Sequence, residues 1–222
     1  MRPERFRSNP QGEGDKRMIK TVLFDMGSVL VRFEPSEFIA KLGLGPEDAE
    51  ALRREVFRSA DWVRLDRGVF TQQQAIDAAC SRLPAQLHPY VAPLVLHWDD
   101  ERPEVPGMFE LVKELSDNGY ELCLLTNASI RHREYWPAFR FAPLFGDRIM
   151  LSAQWKLMKP EREFYEKAIA LLGFDPAQSV FIDDQPTNVE AAERCGIPGI
   201  VFHNDVQLLR RRLRERGVNV SE

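Results

Sequence analysis

Apolar and polar positions along the chain fall into two textures. Thr21-Val22-Leu23-Phe24 is a short unbroken apolar run closed by a carboxylate, Asp25. That pattern predicts a parallel strand buried on both faces. From Pro35 to about Asp100 the apolar residues recur at helical spacing over 35–42, 46–60, 71–83 and 86–98, with Pro or Thr at several starts. No strand pattern interrupts them, so a small all-helical module is expected there. From Pro106 onward the period alternates. Helices are expected over 107–118, 130–139, 161–172, 187–195 and 205–216, and strands over 120–125, 148–152, 179–182 and 199–202. Such alternation predicts an α/β fold, a parallel sheet with helices on both faces. The first strand belongs to the same sheet, which makes the helical module an insertion directly after strand one. The expected organisation is therefore a core of 18–33 and 101–222, a helical cap of 34–100, and a polar extension over 1–17 read as disordered.

Composition narrows the partners. The 222 residues are 44% hydrophobic and 29% charged, as in water-soluble globular proteins, with a formal net charge of -4. Such a balance offers no general attraction to nucleic acid or to an anionic membrane, so an anionic substrate must be held locally. No apolar run approaches the roughly 18 residues of a membrane span, and residues 1–17 lack the apolar segment of a secretory signal. Cys80, Cys123 and Cys195 are odd in number and widely spaced. They read as thiols in a reducing cytoplasm rather than as a disulfide framework. Arg210, Arg211, Arg212, Arg214 and Arg216 suit the negative end of the last helix and a solvated surface. Oligomeric state is not legible.

In doubly wound sheets, ligands bind beyond the carboxyl ends of the strands. Strand one ends in Asp25, the next in Thr126-Asn127, and a later one in Asp183-Asp184, while Lys159-Pro160 stands just before a helix. Singly, each has a plainer role: helix cap for Asp25, turn chemistry for Thr126-Asn127, surface lysine for Lys159. Adjacent acids ending a buried strand are costly without a partner. Together, three carboxylates, a hydroxyl and a lysine on one rim suit phosphoryl transfer. Oxygen ligands would hold Mg²⁺, Asp25 would attack phosphorus, and Lys159, Thr126 and backbone N–H groups would bind phosphate oxygens.

These segments resemble the four signature motifs of the haloacid dehalogenase superfamily: Phe24-Asp25-Met26-Gly27-Ser28-Val29-Leu30, Leu125-Thr126-Asn127, Lys159-Pro160, and Phe181-Ile182-Asp183-Asp184 with Asn188. Within it, the chain is similar to the small phosphatases that include bacterial α-D-glucose-1-phosphate phosphatase, through its first motif, Asp66-Arg67-Gly68, His132 with Trp136, and Met158-Lys159-Pro160-Glu161. The resemblance implies a Rossmann-like core with a helical cap and Asp25 as nucleophile. It implies Mg²⁺ on Asp25, the Gly27 carbonyl and Asp184, with Asp183 direct or through water. Thr126, Asn127 and Lys159 would bind the phosphoryl group, and Asn188 would support the metal loop. Asp66 and Arg67, at an expected loop tip, offer contacts to sugar hydroxyls or phosphate; a salt-bridged surface turn is the alternative. Trp62 and Trp98 are expected in the cap core.

One departure matters. Most phosphatases of the superfamily carry a second Asp where this chain has Gly27, and that Asp transfers protons. A leaving group of depressed pKa, such as an anomeric oxygen, would need less help; alternatively His132 would reach the site. The function implied is Mg²⁺-dependent hydrolysis of a small phosphorylated metabolite such as glucose 1-phosphate. The alternatives are a 2-haloacid dehalogenase, for which Asp183-Asp184 would lack a purpose, and a catalytically weak metabolite-binding protein, for which Gly27 is the main support.

Overall fold

The computed structural model describes residues 18–97 and 104–222. The disordered extension expected over 1–17 and the cap-core place expected of Trp98 lie outside the described residues.

Five strands, β1 (Thr21–Phe24), β2 (Glu121–Thr126), β3 (Ile149–Leu151), β4 (Ser179–Asp183) and β5 (Gly199–Val201), form one sheet in the order β3-β2-β1-β4-β5. All neighbouring pairs are parallel. Phe24 lies opposite both Leu124 and Ile182. That register brings the residues just after β1 level with the ends of β2 and β4, so all three open on one rim.

Twelve α-helices accompany the strands among the described residues. In chain order they are α1 (Pro35–Ala40), α2 (Pro46–Leu52), α3 (Ala60–Asp66), α4 (Gln72–Arg82), α5 (His88–Leu96), α6 (Met108–Asp117), α7 (His132–Tyr135), α8 (Ala142–Phe145), α9 (Ser152–Trp155), α10 (Arg162–Leu172), α11 (Pro186–Arg194) and α12 (Val206–Glu215). Side chains alternate across each strand. Val22, Phe24, Leu124 and Ile182 therefore face an apolar cluster with Met108 and Leu111 of α6 and Leu209 and Leu213 of α12. Leu23, Cys123, Leu125 and Phe181 face the other side, against Phe164, Tyr165 and Ala168 of α10 and Ala191 and Ala192 of α11. Helices thus cover both faces of the sheet, as the alternation of elements predicted.

A third cluster joins α1 to α5 and includes Ile39, Leu52, Val56, Leu65, Ala79, Val91 and Leu94. Burying such a side chain contributes roughly 1.5–3 kcal/mol, so this helical unit carries stabilisation of its own. Where it leaves and rejoins the chain, the two legs touch. Val105 donates its N–H to the Leu30 carbonyl at 3.0 Å, and Val31 pairs with Glu104.

Three helix expectations shift. The run over 46–60 turns π-helical at Arg53–Phe57 and stops. Ser59 then caps a new helix, α3, its side chain accepting from the Trp62 N–H. The run over 130–139 shortens to α7 plus a 3₁₀ turn, Trp136–Ala138, because Pro137 has no N–H to continue the ladder. The run over 86–98 starts as a 3₁₀ turn and gives α5. No described helix is long and apolar enough to cross a membrane. The three cysteines are free thiols.

Candidate active site

Oxygen atoms of Asp25, Asp183 and Asp184 lie within 4.8 Å of one another at the rim of the sheet. Asp25 follows β1 and is held by its N–H, which donates to the Ile182 carbonyl at 2.9 Å. Lys159 arrives from the loop before α10 with its side chain 1% exposed. Its ammonium meets Asp25 Oδ1 at 2.8 Å, Asp183 Oδ2 at 2.7 Å and the Leu125 carbonyl at 2.8 Å. An ammonium has three N–H donors, and all three are engaged. A phosphate oxygen can therefore meet Lys159 only by replacing or sharing one of these acceptors.

Asp183 is held from every side. Besides Lys159, it accepts from the Gln185 N–H at 2.8 Å and from Asn188 Nδ2 at 3.0 and 3.1 Å. Asn188 is in turn fixed by its carbonyl, which accepts from the Tyr165 hydroxyl at 2.8 Å. With its oxygens occupied by protein donors, Asp183 is placed to orient Lys159 and the start of α11. Asp184 is less enclosed, bonded by Gln185 Nε2 at 2.6 Å, and it opens on the cavity.

Charge explains what the cluster requires. Three carboxylates against one ammonium leave two net negative charges. Burial pushes the Asp25 carboxyl up to about 7; Lys159 opposes this, and Asp183 and Asp184 add to it. Burial likewise raises Asp184, reinforced by Asp183. One lysine does not neutralise the site. A divalent cation would, and an all-oxygen donor set suits a hard ion such as Mg²⁺.

Above this floor lies a cavity of about 350 Å³, within the roughly 300–1,000 Å³ range of small-molecule sites. Asp25, Gly27, Asn127 and Asp184 belong to its core side, and Trp62 and Asp66 to its cap side. Thr126 ends β2, 1% exposed and behind the cavity wall, which Asn127, Ala128 and Ser129 supply. Asn127 has a different task from the one expected of its side chain. Its Oδ1 accepts from the Lys159 N–H and its Nδ2 donates to the Lys159 carbonyl, both at 2.9 Å. The amide therefore pins the Lys159 backbone.

The structure separates the expected tip residues. Arg67 turns away from the cavity, pairs with Glu161 and reaches the Lys156 carbonyl at 3.3 Å. Glu161 also accepts from the Met158 N–H at 3.0 Å, next to Lys159. Asp66 stays on the cavity, and its carbonyl accepts from Ser152 Oγ at 2.5 Å. Gly68 sits against the start of α9, where an added Cβ would meet the Ala153 carbonyl oxygen at 2.2 Å. Trp62 packs on Phe57, ring centroids 4.8 Å apart, and also lines the cavity, so it is more than cap core. His132 is not brought to the site. It is buried, stacked on Trp136 at 5.3 Å, in a part of the core that opens elsewhere.

Ser152 is not among the sequence candidates, and Glu161 enters only within Met158-Lys159-Pro160-Glu161, with no role of its own. Ser152 follows β3 on the same rim, so the strand-end rule extends to it. Glu161 had no comparable signal, because its partner Arg67 is 94 residues away.

A carboxylate, Asp25, a buried lysine and an acidic pair thus lie beneath a helical cap at the rim of a doubly wound sheet. The chain belongs to the haloacid dehalogenase-like hydrolase family, whose sequence profile matches residues 19–196. It is 33% identical over 124 residues to flavin mononucleotide hydrolase 1 of Arabidopsis thaliana, covering 52% of this chain and 46% of that one. The chain thus spans less than half the length of that relative. It is 26% identical over 188 residues to a sesquiterpene phosphatase of Aspergillus oryzae, covering 82% of this chain and 88% of that one. A Bacteroides thetaiotaomicron enzyme of the family, solved with magnesium and inorganic phosphate, superposes with a TM-score of 0.62 at 22% identity. The match covers 86% of this chain and 98% of that one.

Proposed function

We propose that this protein is a Mg²⁺-dependent phosphatase that hydrolyses a small phosphate monoester through an aspartyl-phosphate on Asp25. The carrying observation is the Asp25, Asp183, Asp184 and Lys159 cluster, two charges short of neutrality, at the floor of a cavity of small-metabolite size. Asp25, Asp184 and the Gly27 carbonyl would hold the ion, with Asp183 behind them. When bound, the ion supplies positive charge shared by the nucleophile and the incoming phosphate. Asp25 attacks phosphorus in line, and Lys159 turns from its internal acceptors toward a phosphate oxygen. The backbone of Asn127, Ala128 and Ser129, which lines the cavity in front of the buried Thr126, completes the phosphate cradle, while the Asn127 amide keeps Lys159 in place.

A sugar phosphate such as glucose 1-phosphate is the substrate class proposed, with Asp66 and Gln72 among the polar groups on the cavity wall. The named relatives act on a flavin mononucleotide and on sesquiterpene phosphates, so the alcohol is the variable part. The proposed setting is a reducing cytoplasm, with a soluble metabolite rather than nucleic acid or membrane as partner.

Hydrolysis of p-nitrophenyl phosphate by purified protein, with Mg²⁺ and with EDTA, tests the reading. Loss of activity in Asp25→Asn and in EDTA is expected; undiminished activity in Asp25→Asn refutes it. A dehalogenase would release halide from a 2-haloacid in EDTA. The acidic pair and the cluster's net charge favour the phosphatase.

A further inference from the structure

We propose that Asp66, carried by the cap, is the acid that protonates the leaving alcohol and the base that activates the hydrolytic water. The proposal rests on the phosphatase reading and assigns the proton transfers that Gly27 cannot perform.

Position comes first. Asp66 closes α3 and shares the cavity with Asp25, one on the cap side and the other on the core floor. In an in-line displacement the leaving oxygen departs from phosphorus on the side opposite the nucleophile. With Asp25 on the floor, that side faces the cap. The attacking water of the second step enters along the same line, so one group serves both steps.

Asp66 is also held in register with the core. Its carbonyl is tied to Ser152, Arg67 is clamped to Glu161, and Gly68 rests on Ala153. Three consecutive residues anchor to core elements, and the carboxyl at their head is fixed accordingly. The Ser129 backbone and the Trp62 side chain hydrogen-bond that carboxyl.

Its chemistry fits the task. Burial raises the Asp66 carboxyl well above the ordinary carboxylate range; those two hydrogen bonds oppose the rise and the Asp25 charge adds to it. A carboxyl so placed holds its proton more firmly than an exposed one, as an acid aimed at a leaving group requires. The other protonatable groups on the cavity have other commitments. Asp25 is the nucleophile, Asp184 belongs to the acidic cluster, Arg32 is permanently charged and paired with Glu37, and Tyr135 is a buried phenol.

The steps balance. Asp25 attacks phosphorus as the ester P–O bond breaks, and the proton on Asp66 passes to the departing oxygen. The products are the alcohol, aspartyl-phosphate and an Asp66 carboxylate. Water then attacks phosphorus and gives a proton to Asp66. Phosphate leaves, and Asp25 is restored as carboxylate and Asp66 as acid.

The test is a leaving-group series of aryl and alkyl phosphates with Mg²⁺. Acid assistance makes wild-type kcat/KM nearly independent of leaving-group pKa. Asp66→Asn should lose roughly 10²–10⁴-fold on phenyl and alkyl phosphates and far less in the first turnover of dinitrophenyl phosphate, whose phenolate leaves unaided. Because the variant also lacks the base, it should release a burst of dinitrophenolate and then turn over slowly. Asp66→Glu should recover part of the loss. A role in cap docking or substrate binding alone would lower all esters equally, with no burst, and would overturn the proposal. Steep leaving-group dependence in wild type would overturn it without any variant. Failure of wild type to hydrolyse any phosphate ester would instead overturn the phosphatase reading on which it rests.

Discussion

Gly68→Ala tests whether cap docking sets the geometry of the site. Gly68 has φ +73, in the left-handed region, and its added Cβ would lie 2.2 Å from the Ala153 carbonyl oxygen. Ordinary contacts begin near 3.5 Å, so the loop must retreat from α9 by about 1 Å or more. Both surfaces are backbone, and no flexible side chain can absorb the overlap. The left-handed backbone costs a non-glycine residue roughly 1–2 kcal/mol. The clash is relieved by lifting Asp66 to Gly68 off the core, which lengthens the Asp66–Ser152 hydrogen bond. Cap and core keep separate apolar clusters, so global stability should fall by only about 1–3 kcal/mol. Catalysis should suffer more, because a misplacement near 1 Å costs on the order of 10²-fold. Gly173→Ala is the matched control: φ is +71 there, with nothing within 4 Å of the added Cβ. Thermal unfolding and kcat/KM for p-nitrophenyl phosphate would be measured for both. Gly68→Ala should lose activity out of proportion to its Tm, and Gly173→Ala should lose Tm alone. Equal activity in the two variants would refute the claim that this contact positions the cap.

Two further predictions concern the floor. Lys159→Met leaves Asp25 and Asp183 buried without their ammonium, so it should destabilise the metal-free protein by roughly 3–5 kcal/mol in urea unfolding and abolish hydrolysis. The second concerns pH. Burial, opposed by Lys159 and assisted by Asp183 and Asp184, lifts Asp25 from 3.8 to about 7, so between those values the folded chain holds a proton that the unfolded chain has released. Its contribution to metal-free stability is present below about 4 and lost as pH rises through about 7. Mg²⁺ should therefore raise Tm more at about pH 8 than at about pH 5; an equal rise at both would contradict this account of Asp25.

The fold was legible because strand and helix periods differ and each strand's end is marked by composition. The Asp25, Asp183 and Asp184 cluster followed from the same logic, since parallel strands in register deliver their last residues to one place. What was not legible depended on partners far along the chain. Nothing local says that Arg67 faces Glu161 while Asp66 faces the cavity, although the two are adjacent. Asn127 directly follows a strand as a phosphate-binding residue would, yet its amide matches the Lys159 backbone 32 residues later. His132 lies close to the second motif in sequence, but aromatic stacking with Trp136 turns it into the core. Helix breaks at Ser59 and Pro137 carried signals, a capping hydroxyl and a missing N–H, which apolar periodicity alone overrides.

The paired legs at Leu30–Val31 and Glu104–Val105 have a bearing on how this enzyme can change. Between them, α1 to α5 pack around an interior of their own, and Asp25, Lys159, Asp183 and Asp184 lie outside that interval. Substitutions within α1 to α5 can therefore reshape the cap side of the cavity while the cluster on the core floor stays as it is. The exception is the three-residue contact at Asp66 to Gly68, where any such remodelling must still land on the same three anchors.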